Sequence, residues 1–123
     1  MTINLIVRRR DIQHILDDDP WDVTIYREGR TPDDAEVSFS FVGRIVPLGS
    51  WTTARGMGLN VPKGEIPPGT YGWVLLAPYD AEDMFTNDNV VAVQQSSGIS
   101  RYFRVGFNTR YAYKYEVILD ERE

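Results

Sequence analysis

Few side chains in this sequence are of types that do chemistry at close quarters. His14 is the only histidine and there is no cysteine. A serine or cysteine nucleophile needs an imidazole beside it, and zinc needs several His or Cys ligands, so neither site is predicted. Disulfides and thiol redox chemistry are excluded outright. His14 lies between Gln13 and Ile15 in a helical stretch and reads as an ordinary helix-face histidine.

The carboxylates come in two groups. Asp17, Asp18 and Asp19 with Asp22 supply oxygen ligands of the kind magnesium or calcium uses, but their spacing does not follow an EF-hand loop. They read as a solvated acidic turn. Asp80, Glu82, Asp83 and Asp88 are candidates for acid-base work, yet Asp80 reads better as the N-cap of a helical turn ending at Phe85, with Asp83 at its third position. Phosphate-binding motifs also fail. Gly56 and Gly58 are followed by Val61 where a dinucleotide motif needs a third glycine, and Lys63 stands between Pro62 and Gly64 rather than before a hydroxyl residue. No catalytic residue, metal site or cofactor is predicted, and the chain is read as a non-enzyme.

Charge is distributed more informatively. From Asn89 to Tyr115 the chain holds Arg101, Arg104, Arg110 and Lys114 and no acid, a segment of +4 within a chain of net charge −5. Tyr102, Phe103, Phe107, Tyr111, Tyr113 and Tyr115 are interleaved with these cations. Small barrels bind single-stranded nucleic acid through such a mixture of stacking faces and phosphate contacts. Arg101, Tyr102, Arg104 and Arg110 are therefore an alternative nucleic-acid patch. Alternation assigns Phe103, Val105 and Phe107 to one face and Tyr113, Tyr115, Val117 and Leu119 to another, both toward a core. Tyr102 and Tyr111 remain as stacking platforms, and Tyr102, Arg104, Lys114 and Glu116 occupy the opposite faces.

These residues need a scaffold, and 123 residues suffice for one domain spanning 1–123 that buries about two-thirds of its surface. Trp73 to Ala77 is the longest apolar run, far too short to cross a membrane, and a soluble, intracellular protein is expected. Ile12, Ile15 and Leu16 predict an amphipathic helix over 7–19, ended by Pro20. Arg8, Arg9 and Arg10 in its first turn and Asp17 to Asp19 in its last oppose the helix dipole, so packing or assembly must hold it. Val23 and Ile25, then Val37, Phe39 and Phe41, alternate as two strands of a hairpin, with a bulge or bend at Gly43. Further strands are predicted at Tyr71–Ala77, Asn89–Gln94, Arg101–Phe107 and Tyr113–Leu119. The fold class is mainly β: a small antiparallel barrel or sandwich of about six strands with one short N-terminal helix.

Between these strands, periodicity stops over 48–70, where prolines and glycines dominate. A structureless loop of this length is uncommon in a compact domain and is usually functional or disordered. Fully extended, it spans on the order of 80 Å, and up to about half that as a returning arm. Trp51, Met57, Leu59, Val61 and Ile66 offer apolar anchors, and Arg55 and Lys63 outweigh Glu65 in charge. These are the predicted assembly residues, suited to contact with another subunit.

The order of elements resembles the head-closure, or stopper, proteins of the head-to-tail junction of tailed bacteriophages. The resemblance covers Val37 to Asp120. It is carried by Gly43 to Pro47 leading into the loop, Asn87 and Asp88 before the Val90 to Val93 strand, Gly98, the Tyr102 to Gly106 strand and the closing Tyr115 to Asp120. It implies a barrel subunit in a ring-shaped homo-oligomer in the virion neck, assembled in the host cytoplasm between a portal-side adaptor and the tail. The loop would project into the channel or onto a neighbouring ring, closing the channel on packaged DNA without sequence-specific binding and offering the tail a docking surface. An acidic chain is consistent with DNA sliding past it.

Overall fold

The computed structural model describes residues 3–28, 38–47 and 72–122. One helix, α1 (Ile3–Asp18), precedes six strands: β1 (Trp21–Tyr26), β2 (Ser38–Pro47), β3 (Trp73–Ala77), β4 (Asn89–Gln94), β5 (Ser100–Arg110) and β6 (Tyr115–Arg122). The strands close into a barrel in the order β1-β2-β3-β6-β5-β4, every neighbouring pair antiparallel. Of the two architectures predicted, the molecule is the barrel.

Alternation builds the interior. Trp21, Val23 and Ile25 of β1, Val90 and Ala92 of β4, Phe103 and Val105 of β5, and Tyr115, Val117 and Leu119 of β6 point inward and are buried. Ile45 of β2 and Leu75 and Ala77 of β3 complete the ring. The continuous apolar run of β3 has a second cause. Its outward residues Val74 and Leu76 join Val46 and Ile118 in a separate cluster under Ile12 and Leu16 of α1, with Ile15 and Tyr113 beside it. A strand covered on both faces needs no polar alternation. β2 passes from pairing with β1 to pairing with β3 at Gly43, without the bulge that its glycine suggested. A Cβ on Gly43 would lie 2.9 Å from the Leu76 carbonyl oxygen, so the crossing requires glycine.

Four expectations are corrected. α1 begins at Ile3 rather than Val7, which moves Arg8 to Arg10 into its middle. The dipole conflict survives only at the C-terminal end, where Arg44 Nη1 donates to the Ile15 carbonyl at 3.1 Å and reaches Asp18 Oδ2 at 3.3 Å. A cation that caps the last carbonyls offsets the acidic end. Phe107 does not share the inward face of Phe103 and Val105. A register shift between Val105 and Asn108 turns it outward, 37% exposed. Tyr113 packs outside the barrel with the α1 cluster. Asp80 caps no helix: residues 81–85 are irregular, after a turn closed by Ala81 N–H donating to the Pro78 carbonyl at 3.1 Å.

Lys114 and Glu116 are also displaced from their predicted solvent face. Both are buried, with Lys114 Nζ 2.6 Å from Glu116 Oε1. Glu116 lies across from Leu76, on the outward side of the wall that α1 covers. Lys114→Met, which takes the ammonium away from a buried carboxylate, is expected to destabilise by about 3–5 kcal/mol, whereas Lys114→Met with Glu116→Leu recovers most of that loss. Urea unfolding of the two variants against wild type measures it, and equal losses would show that the buried carboxylate does not depend on Lys114.

Candidate functional site

The predicted assembly residues Trp51, Arg55, Met57, Leu59, Val61, Lys63 and Ile66 lie outside the described residues. Their point of attachment is described. Residues 48–72 join β2 to β3, and the flanking Pro47 and Trp73 are cross-strand partners, so the chain leaves and re-enters the barrel side by side at one rim. Trp73 stands edge-on to Phe103, with ring centroids 5.9 Å apart. Arg101 lies over the Trp73 ring at 4.8 Å and pairs with Glu121 at 2.7 Å. An aromatic ring fixed by a stacked, paired guanidinium makes a stiff root.

The alternative patch is divided. Arg101 has the inward parity of Phe103 and Val105 and is engaged at that rim. Tyr102 and Arg104 point outward together on β5, exposed, across from Arg122 and Asp120 of β6. Arg110 lies beyond the bulge, where it donates to the Tyr79 carbonyl at 2.5 Å, the Ala81 carbonyl at 2.6 Å and Asp83 Oδ1 at 2.9 Å. Its guanidinium also stacks 4.0 Å above the Tyr115 ring. Arg101, Arg110 and Lys114 thus pair with Glu121, Asp83 and Glu116, acids from outside the +4 segment. Folding interleaves the two charge classes, and only Tyr102 and Arg104 remain a joint outward pair. Tyr111, the other expected platform, is half-buried and tilted against Tyr113 at 5.8 Å.

The acidic run is dispersed in the same way. Asp17 accepts from Gln13, Asp18 from Arg44, Asp19 from Gln94 and Asp22 from Gln95. Among the described residues, no three His, Cys, Asp or Glu side chains are grouped to hold a metal, and no helix is long and apolar enough to cross a membrane. His14 is exposed on α1.

Two features were missed by sequence reasoning. The first is a plug over the barrel mouth formed by residues 78–88. Met84 inserts into the core; its N–H donates to the Tyr115 hydroxyl at 3.0 Å, and its carbonyl accepts from Asn108 Nδ2 at 2.9 Å. The Tyr115 hydroxyl donates to Asn108 Oδ1 at 2.8 Å. Asp88, 1% exposed, accepts from Arg27 at 2.8 Å and from the Glu28 and Phe85 N–H groups at 3.1 and 2.9 Å. Asn87 adopts φ 75°, a left-handed conformation that asparagine tolerates, and donates its N–H to the Val105 carbonyl. Only tertiary structure brings Arg27 and Asp88 together, so no local signal announces them.

The second feature is a seam on α1. Ile3, Ile6 and Val7 are 78%, 52% and 36% exposed, and exposed Arg10 continues the same stripe. The spacing i, i+3, i+4, i+7 was present in the sequence but lies mostly ahead of the predicted helix start. Beside it, Asn4, Leu5, Arg8, Ala112 and Tyr113 line a groove of about 310 Å³. Phe85 and Phe107 are exposed elsewhere, flanking the hydrogen bond from Thr86 Oγ1 to the Gly106 carbonyl.

Compared with protein families, curated proteins and solved structures, the chain finds no match. The geometry therefore stands alone: a plugged, closed barrel with a stiffened rim and exposed apolar patches.

Burial raises the pKa of the Tyr115 hydroxyl above its ordinary value of 10.0, against the lowering effects of the Met84 backbone and Arg110. Folding therefore favours the neutral phenol. Its stabilising contribution is complete below pH 10.0, the unfolded value, and is lost as pH rises through the higher folded value. Tyrosinate absorbance is expected to show a late-ionising step that belongs to Tyr115. Tyr115→Phe should remove that late step and cost about 1–3 kcal/mol, by leaving the Met84 N–H unsatisfied.

Proposed function

We propose that this chain is a non-enzymatic assembly subunit of the neck of a tailed bacteriophage. Copies form a ring between a portal-side adaptor and the tail, closing the DNA channel and docking the tail. The observation that carries this reading is the rim. The segment holding Trp51, Arg55, Met57, Leu59, Val61, Lys63 and Ile66 is rooted on adjacent strands of a closed barrel, with Arg101, Trp73 and Glu121 fixing its point of departure. A rigid body that anchors both ends of a long segment of apolar and cationic residues at one rim suits an inter-subunit contact. Net charge −5 supports passage of DNA rather than its capture.

Tyr102 and Arg104 support the second reading, a small single-strand nucleic-acid-binding barrel. It is the weaker one, because three of the four cations of the 89–115 segment are neutralised within the subunit. Fluorescence titration with single-stranded DNA at two salt concentrations separates the readings. Tight binding with a steep salt slope favours the second.

Sedimentation velocity of the purified chain, alone and with a portal–adaptor complex, tests the first reading. Concentration-dependent rings that join the complex are expected, and a monomer at every concentration that never joins would sink it. Deleting Ser50 to Gly69 should leave the β circular-dichroism spectrum and cooperative unfolding intact while abolishing joining. Loss of the folded spectrum would place this segment in the core instead.

A further inference from the structure

We infer that copies of this chain join head to tail, the exposed seam of α1 on one copy seated on the Phe85–Phe107 face of the next. The inference rests on the self-assembly reading above and names the surfaces that make the contact. α1 covers β2, β3 and β6, and its far side presents Ile3, Ile6, Val7 and Arg10, with exposed Arg8 nearby. In the closed strand order β4 stands opposite β3. Phe85 is held beside the start of β4 through Asp88, and Phe107 projects from β5. The two apolar patches are therefore distinct surfaces: the seam lies on the outer side of α1, whose Arg9 rests on Tyr79 and Ala112, and the Phe85–Phe107 face lies on the β4–β5 side. A subunit with two different matching patches forms heterologous contacts, which close into a ring where the rotation between neighbours closes and run on as a filament where it does not.

Charge selects this pairing over the symmetric ones. Arg8 and Arg10 against one exposed acid, Asp11, together with the positive end of the helix dipole, leave the seam net positive. Around Phe85 the exposed acids left over are Glu28 and Glu82, because Arg27, which lies over the Phe85 ring, and Arg110 are already paired with Asp88 and Asp83. Seam against seam would oppose arginines, and face against face would oppose carboxylates. Only seam against face buries apolar surface within a rim of opposite charge, the pattern of a specific interface.

Two exposed substitutions test the contact, each disabling one half of it. Ile6→Glu alone and Phe85→Glu alone are expected to be monomeric under conditions where wild type assembles. Mixed, they should form 1:1 dimers, because each retains the half that the other lacks. The cysteine-free sequence supplies a second measurement. Under mild oxidation, a chain carrying both Ile6→Cys and Phe85→Cys should give a reducible ladder of multimers, while each single-cysteine chain stays monomeric. Assembly of wild type with no ladder and no effect of either Glu substitution overturns this contact and leaves the ring reading standing. Dimers of either single-cysteine chain also overturn it, in favour of a symmetric contact. A wild-type chain that is monomeric at every concentration overturns both readings.

Discussion

The structure depends on β3 being buried from both sides. Leu75 and Ala77 fill the barrel while Val74 and Leu76 face outward, and an outward leucine left in water forfeits about 1.5–3 kcal/mol. A cover on that part of the wall is therefore obligatory, and α1 provides it with Ile12 and Leu16. Because α1 must lie over β2, β3 and β6, Arg44 meets its last turn and relieves an acidic helix end that would otherwise fray. The same placement carries the first two turns of the helix clear of the cluster, which is why Ile3 and Ile6 are exposed although Leu16 is wholly buried.

The opposite constraint operates at the mouth of the barrel. Asn108 and Arg110 have inward parity after the bulge, so polar groups enter where the core should continue. They are tolerated because the 78–88 plug satisfies them: Asn108 and Tyr115 share the backbone of Met84, and Arg110 caps the carbonyls of Tyr79 and Ala81. Buried polar networks are stabilising only when every member is paired. Asp88 belongs to the same logic, a carboxylate admitted to the interior by one guanidinium and two backbone donors.

What was legible in the sequence follows from range. Alternation in β1, β4 and β6 and the amphipathic Ile12 and Leu16 are local signals, and they located the strands, the inward faces and the helix. The β5 bulge is invisible to alternation; its one local signal is Gly106, a glycine inside a strand, and the error in Phe107 follows from reading the alternation straight through it. Lys114 and Glu116 look solvated because charge normally means exposure, and only a helix from the far N-terminus reverses that. The basic segment misled for the same reason: Glu121 and Asp83 lie elsewhere in the chain, so a charge count along sequence could not foresee their pairing with Arg101 and Arg110.

Closure of the barrel also limits how such a subunit can associate. Each of the six described strands has a partner on both sides, which leaves no free strand edge on which another chain could add by backbone hydrogen bonding. Contact between copies must then be made by side chains on the outer wall or by connecting segments. On the wall, β2, β1, β4 and β5 present Ser40, Thr24, Val91 and Tyr102 in one cross-strand row, a mixed surface with little concentrated apolar area. Apolar side chains are grouped in exposed positions at α1 and at the Phe85–Phe107 corner, while Val42, Ile99 and Tyr102 are exposed elsewhere. A side-chain contact is slower to evolve into open-ended aggregation than an exposed strand edge, because it must match shape and charge at both ends. Sealing the edges therefore moves the specificity of any assembly onto a few patches whose charges a single substitution can reverse.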